Sequence, residues 1–119
     1  MPINPDAVGH RGAPVRSSWT STDSLLYAVG VGAGQEPTDP AELPFVTENS
    51  MSVDQRALPT MAVVLADVSG AFANIGSFNP VMLVHGEQRV VCHSELPVAG
   101  EIESTSEITA IWDKGKGAV

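Results

Sequence analysis

Two short blocks hold the side chains best suited to chemistry: Leu83-Val84-His85-Gly86-Glu87-Gln88, and Trp112-Asp113-Lys114-Gly115-Lys116-Gly117. His85 offers a ring nitrogen that can serve as a hydrogen-bond donor or acceptor. Gly86 has no Cβ, so a ligand can approach the backbone closely. Lys114 is a flexible cation that can meet a phosphate or a carbonyl oxygen. Each also has a plainer reading: a strand-end histidine, a β-bulge glycine and a solvated turn lysine.

Other candidates are weaker. Asp67 is the one charge in an apolar run, so it is either a solvent-facing residue or a buried carboxylate suited to acid–base work. Cys92 is the single cysteine, which rules out an internal disulfide; within an apolar strand it reads as a small hydrophobe, not a catalytic thiol. His10, His85 and His93 form no metal motif, since no thiol cluster accompanies them. His93 is expected on the solvent side or at an interface. Gly30-Val31-Gly32-Ala33-Gly34-Gln35 resembles a dinucleotide loop, but the third glycine is misplaced and the glycines follow a helix, not a strand. They read as a helix stop.

The elements that must position these residues follow from pattern. Residues 1–18 mix prolines, glycines and charges without period, and read as an irregular arm. Thr20 and Asp23 approximate a capping box ahead of Leu25, Leu26, Val29 and Ala33, which predicts a helix over about 21–31. Residues 36–44 are loop, 44–48 a short strand and 49–56 loop. Pro59 opens an almost wholly apolar segment, residues 58–72, expected as a helix buried on all faces, with strand competing at Val63-Val64. Residues 74–80 are loop. Residues 81–93 and 100–112 read as strands. In the second, Ile102, Ser104, Ser106, Ile108, Ala110 and Trp112 share one face, and Glu101, Glu103, Thr105, Glu107 and Thr109 the other. Lys114 to Gly117 is a turn, and Ala118-Val119 begins a return strand. A return of two residues leaves ladder groups unpaired, so the sequence is expected to be a fragment or to be completed by another chain.

With 119 residues there is room for one core, and 43% hydrophobic against 17% charged residues argues against disorder. The formal net charge of −8 repels phosphate backbones and anionic membrane surfaces, so neither nucleic acid nor membrane is an expected partner. Lys114 and Lys116 are among the few residues that could receive a phosphate. One unpaired cysteine fits the cytoplasm. The start of the chain lacks the basic and apolar regions of a signal peptide, and no run reaches a membrane span.

Taken with Trp19 through Gly34 and Leu58-Pro59-Thr60, the two blocks make residues 17–119 resemble the N-terminal half of type 2 (R-specific) enoyl-CoA hydratases. These are MaoC-like double hot-dog enzymes. The resemblance implies an α+β hot-dog fold, an antiparallel sheet wrapped around a central helix, with one incomplete unit over 19–119 after the arm. It implies hydration of a trans-2-enoyl-CoA to the (3R)-hydroxyacyl-CoA, in fatty-acid β-oxidation or in catabolism of steroid side-chain CoA esters, with no cofactor and no metal. It implies that His85, Gly86 and Lys114 contact the acyl-CoA. It also implies a C-terminal half or a second chain, and a homo-oligomer, expected as a dimer. The family's water-activating signature is Asp-x-Asn-Pro-x-His. Here Ser77-Phe78-Asn79-Pro80-Val81-Met82 has Ser77 in place of the Asp and Met82 in place of the His, so no catalytic residue is expected in this segment. Two alternatives stand beside this reading: a hot-dog acyl-CoA thioesterase using Asp67, and a non-catalytic acyl-CoA-binding or assembly module.

Overall fold

A computed structural model describes residues 3–119. The chain divides into two compact units. One comprises Met1–Arg16, Asp67–Arg89 and Glu103–Val119; the other comprises Ser17–Ala66 and Val90–Ile102. Strand β1 (Val15–Trp19) pairs with β2 (Gly100–Ser104) in a two-stranded antiparallel sheet, and helices α1 (Ser21–Gly30), α2 (Leu43–Val46) and α3 (Ala62–Leu65) complete an α+β chain.

The Ser17–Ala66 and Val90–Ile102 unit is built around α1. The Thr20 hydroxyl oxygen accepts from the Asp23 amide at 3.3 Å, and the Asp23 carboxylate accepts from the Thr20 amide at 2.8 Å, so the capping box is complete. The helix stops where Gly32 and Gly34 take φ of 99° and 79°, a region that only glycine enters without strain. Trp19 is buried, its indole N–H donating to the Pro97 carbonyl at 3.0 Å. The fully buried Ser24 hydroxyl donates to the Val98 carbonyl at 2.6 Å, so both polar groups are satisfied. Ala28, Ala57 and Met61 fill the rest of this core.

The predicted alternation over residues 101–110 holds. Ser104 and Ser106 are buried, Ile102, Ile108 and Ala110 are half-buried, and Glu101, Glu103, Thr105, Glu107 and Thr109 are exposed. The ladder narrows after Ser104 to single bridges. The Gly12 amide donates to the Ser106 carbonyl at 2.9 Å and the Gly9 amide to the Ile108 carbonyl at 2.7 Å. Arg11 pairs with Glu107 at 2.9 Å. Gly12 lies against Gly70 so closely that a Cβ on it would sit 2.7 Å from the Gly70 carbonyl carbon.

Five local expectations are corrected. Residues 58–72 are not one buried helix: α3 spans one turn between a 3-10 turn at Pro59–Met61 and another at Ser69–Asn74, and Val64 is 65% exposed. The reasons are local. Asp67 accepts from the Ser69 amide at 2.8 Å and diverts the backbone into a turn, Gly70 is a poor helix former, and the Val63-Val64 pair is β-branched. Residues 44–48 form no strand: 44–46 belong to α2, where Pro44 sits at the first turn, and the helix ends at an extended Thr47. Residues 81–93 form no strand: a 3-10 turn at Pro80–Met82 gives way to backbone without a ladder partner. Cys92 is exposed, not buried in a strand. Trp112 is also exposed, so the buried face of 102–112 ends at Ala110.

Candidate functional site

Lys114 belongs to a hairpin in the unit containing Glu103–Val119. Trp112 and Val119 exchange backbone hydrogen bonds of 2.7 and 2.9 Å, and the Lys114 amide donates to the Gly117 carbonyl at 2.8 Å. Asp113 shapes the turn by accepting from the Gly115 amide at 2.7 Å, and Gly115 takes a φ of 81°. The turn therefore needs Asp113 and Gly115 for its geometry and leaves Lys114 exposed. A cleft of about 560 Å³ opens beside it, lined by Ile3, Pro5, Ile111, Asp113, Lys116 and the backbone around Gly117. Its size lies in the range of small-molecule sites, and its walls are chiefly apolar with one carboxylate and one ammonium.

His85 and Gly86 belong to the same unit. Both are exposed, and the His85 ring nitrogen Nε2 lies 3.1 Å from the Gln88 amide oxygen. A Cβ on Gly86 would meet no atom within 4 Å. The chain's own packing therefore does not demand glycine there. Among the described residues, no hydrogen bond or ion pair joins His85 to Lys114, and neither His85 nor Gly86 lines the Lys116 cleft. The three expected binding residues thus share a unit and are open to solvent, but they do not form one pocket.

Asn79 takes a plain structural role. Its side chain accepts from the Val81 amide at 3.1 Å and caps the turn at Pro80–Met82. Asp67 is likewise committed. The Ser69 hydroxyl and amide hold its carboxyl below the usual carboxylate range, which suits a turn cap and not a proton shuttle. His10 meets the Asn74 side-chain amide at 3.0 Å, and His93 is exposed as expected. Among the described residues, no cluster of His, Cys, Asp or Glu could hold a metal ion. No helix of the described residues is long and apolar enough to cross a membrane.

One arrangement was not legible in the sequence. Arg56 lies in a stretch that reads as polar loop, yet its guanidinium sits 5.6 Å from the Phe45 ring centroid and pairs with Glu95 at 2.9 Å. A second cleft of about 330 Å³ opens there, lined by Phe45, Arg56, Pro59, Cys92, His93 and Leu96. The only sequence signal was an isolated arginine between Gln55 and an apolar run, and sequence spacing cannot pair residues 56 and 95.

Comparison with known proteins supplies the context for these residues. The family described as the MFE-2 hydratase 2 N-terminal domain matches residues 17–119. The chain is 44% identical over 98% of its length to 3-hydroxyacyl-thioester dehydratase Y of Mycobacterium tuberculosis, covering 39% of that protein. It is 37% identical over its whole length to Enoyl-CoA hydratase ChsH3 of the same organism, covering 42% of it. It is 40% identical over 95% of its length to peroxisomal multifunctional enzyme type 2 of Mus musculus, covering 16%. The chain therefore spans about two fifths or less of these relatives. With the match running from β1 through the Lys114 hairpin, the chain belongs to the MFE-2 hydratase 2 N-terminal domain family.

Proposed function

We propose that this chain is the N-terminal, substrate-binding half of an R-specific 2-enoyl-CoA hydratase. The observation that carries this reading is the family match over residues 17–119, in register with hydratase and dehydratase relatives. The reaction adds hydroxide to C3 and a proton to C2 of a trans-2-enoyl thioester. It is redox-neutral, so no redox cofactor is required, and the proposal includes no metal. The groups that activate water belong to a C-terminal hot-dog half or a second chain, since Ser77 and Met82 provide no base of suitable pKa here. The arm at 1–18 precedes the hot-dog domain at 19–119. Fatty acyl and steroid side-chain CoA esters are the proposed substrates, the second supported by the name of the ChsH3 relative. The chain acts as a homo-oligomer in the cytoplasm, where an exposed free thiol such as Cys92 stays reduced.

His85 and Gly86 are proposed to contact the thioester arm, and Lys114 a phosphate or pantetheine oxygen. Calorimetric titration of a trans-2-enoyl-CoA into the chain joined with a C-terminal half from a relative tests this. Lys114→Ala weakens binding about five- to tenfold, the value of one charge-assisted hydrogen bond at an exposed site. Equal affinity for wild type and variant removes Lys114 from the site. Absence of hydration by the joined halves removes the hydratase reading.

A further inference from the structure

The hairpin that carries Lys114 has two faces, and its register separates them. Trp112 and Val119 form a hydrogen-bonded pair, Asp113 bridges to Ala118, and the Lys114 amide donates to the Gly117 carbonyl. Residues two apart on a strand share a face, as do residues directly opposite across a ladder. Ile111, Asp113 and Ala118 therefore lie on one face, and these three line the cleft of about 560 Å³. Trp112, Lys114 and Val119 lie on the other. There Trp112 is 58% exposed and Val119 68%. Among the described residues, no hydrogen bond, ring contact or ion pair engages the Trp112 indole or the Lys114 ammonium.

Charge singles out the same turn. The protein has six Lys and Arg residues against 14 Asp and Glu. Arg11, Arg16 and Arg56 each face a glutamate: Glu107, Glu103 and Glu95. Lys114 and Lys116 have no ion pair among the described residues, and Asp113 beside them accepts from the Gly115 amide at 2.7 Å. An anionic ligand thus meets uncompensated positive charge here. Two strand residues, about 7 Å, separate Lys114 from the aromatic ring on its own face. A flat aromatic surface and a cation at that spacing match a purine nucleotide: the base stacks on the indole, and a phosphate oxygen accepts from the ammonium.

We propose that Trp112 is the stacking platform for the adenine of the substrate's coenzyme A portion, with Lys114 holding a phosphate of the same nucleotide. The proposal rests on the enoyl-CoA reading and deepens it by naming the end of the substrate that the hairpin grips. Lys114 alone cannot tell a nucleotide from any other anion; the indole supplies the preference for a base. Val119, directly opposite Trp112, widens the apolar floor beside the ring. Gly117, opposite Lys114, presents no side chain, and a Cβ there would meet no atom within 4 Å, so a ligand can lie across the turn. The separation of the expected binding residues then has a physical reason. An acyl-CoA is long, so the hairpin can take its nucleotide while His85 and Gly86 take the thioester arm, and residues that share no pocket share one substrate.

The test uses the whole 119-residue chain and adenosine 3′,5′-bisphosphate, which carries the base and phosphates without a thioester. Trp112 is exposed and Trp19 buried, so saturable quenching of the solvent-exposed emission reports the base at Trp112. Calorimetry supplies affinities for variants that lack this reporter. Trp112→Ala is expected to weaken binding about tenfold or more, and Trp112→Phe to stay within about threefold, because a phenyl ring still stacks. Lys114→Ala is expected to weaken it about five- to tenfold and to leave the quenching at saturation in place. Trp19 emission and the circular dichroism of α1 check that each variant is folded. Absence of saturable quenching up to about 10 mM bisphosphate overturns the proposal, as does Trp112→Ala binding like wild type or Trp112→Phe losing as much as Trp112→Ala. In the chain joined with a C-terminal half from a relative, Trp112→Ala is expected to raise KM for a trans-2-enoyl-CoA about tenfold and KM for the matching enoyl-pantetheine less than about twofold; an equal rise for both overturns it too. Hydration without bisphosphate binding removes the platform alone. Bisphosphate binding without hydration sustains the platform and removes the hydratase reading.

Discussion

Asp67 shows how a single residue can look catalytic in sequence and act structurally. It is the only charge in an apolar run, but it faces a turn, where the Ser69 hydroxyl and amide stabilise its ionised form and lower its pKa. A depressed carboxylate contributes stability that is present above the unfolded-state pKa and is lost as pH falls through the lower folded-state value. Asp67→Asn is therefore expected to be less stable than wild type at pH 7, and to lose that disadvantage in acid, below the usual carboxylate range. Urea denaturation at neutral and acid pH measures both differences. A deficit that persists unchanged in acid would mean that the charge plays no part. His85 and Lys114 differ from Asp67 in that the fold asks little of them: both are exposed, and their neighbours Gln88, Asp113 and Gly115 carry the local geometry.

At the scale of elements, α1 is the best-specified part of the chain. Its cap, its stop and its buried face are all encoded within fifteen residues or so of one another, and short-range signals of this kind survive whatever packs around them. Thr20→Ala removes a side chain that both accepts from the Asp23 amide and positions its carboxylate, and is expected to cost about 1 kcal/mol. Thermal melting followed at the helix band measures it; Thr20→Ser is expected to recover most of the loss. Local specification also explains what was legible. The capping box, the glycine stop, the alternation of residues 101–110 and the Lys114 hairpin are set by neighbours in sequence. Residues 58–72 and 81–93 were not legible in the same way. Their apolar character says that they seek burial, but the surface that buries them is not fixed by periodicity. In residues 58–72 the turn at Asp67 and the contact of Gly12 with Gly70 override helical propensity. In residues 81–93 an apolar, β-branched pattern stands with no strand beside it. Of the candidate site, the residue types were legible; their separation, and the Arg56 cleft, depend on contacts distant in sequence.

At the scale of the chain, the buried hydrophobic residues among those described are Ala7, Trp19, Ala28, Ala57, Met61 and Ala71, of which only Trp19 and Met61 are large. Small buried side chains contribute little transfer free energy, so association has much to add. Stability is then linked to mass action: a dimer that forms only between folded chains raises the melting temperature as concentration rises. For a chain of this size, a hundredfold increase in concentration is expected to raise Tm by roughly 5 °C. Differential scanning calorimetry of the wild type at micromolar and at hundredfold higher concentration reads this directly. A concentration-independent Tm for the wild type would mean that folding is not linked to self-association.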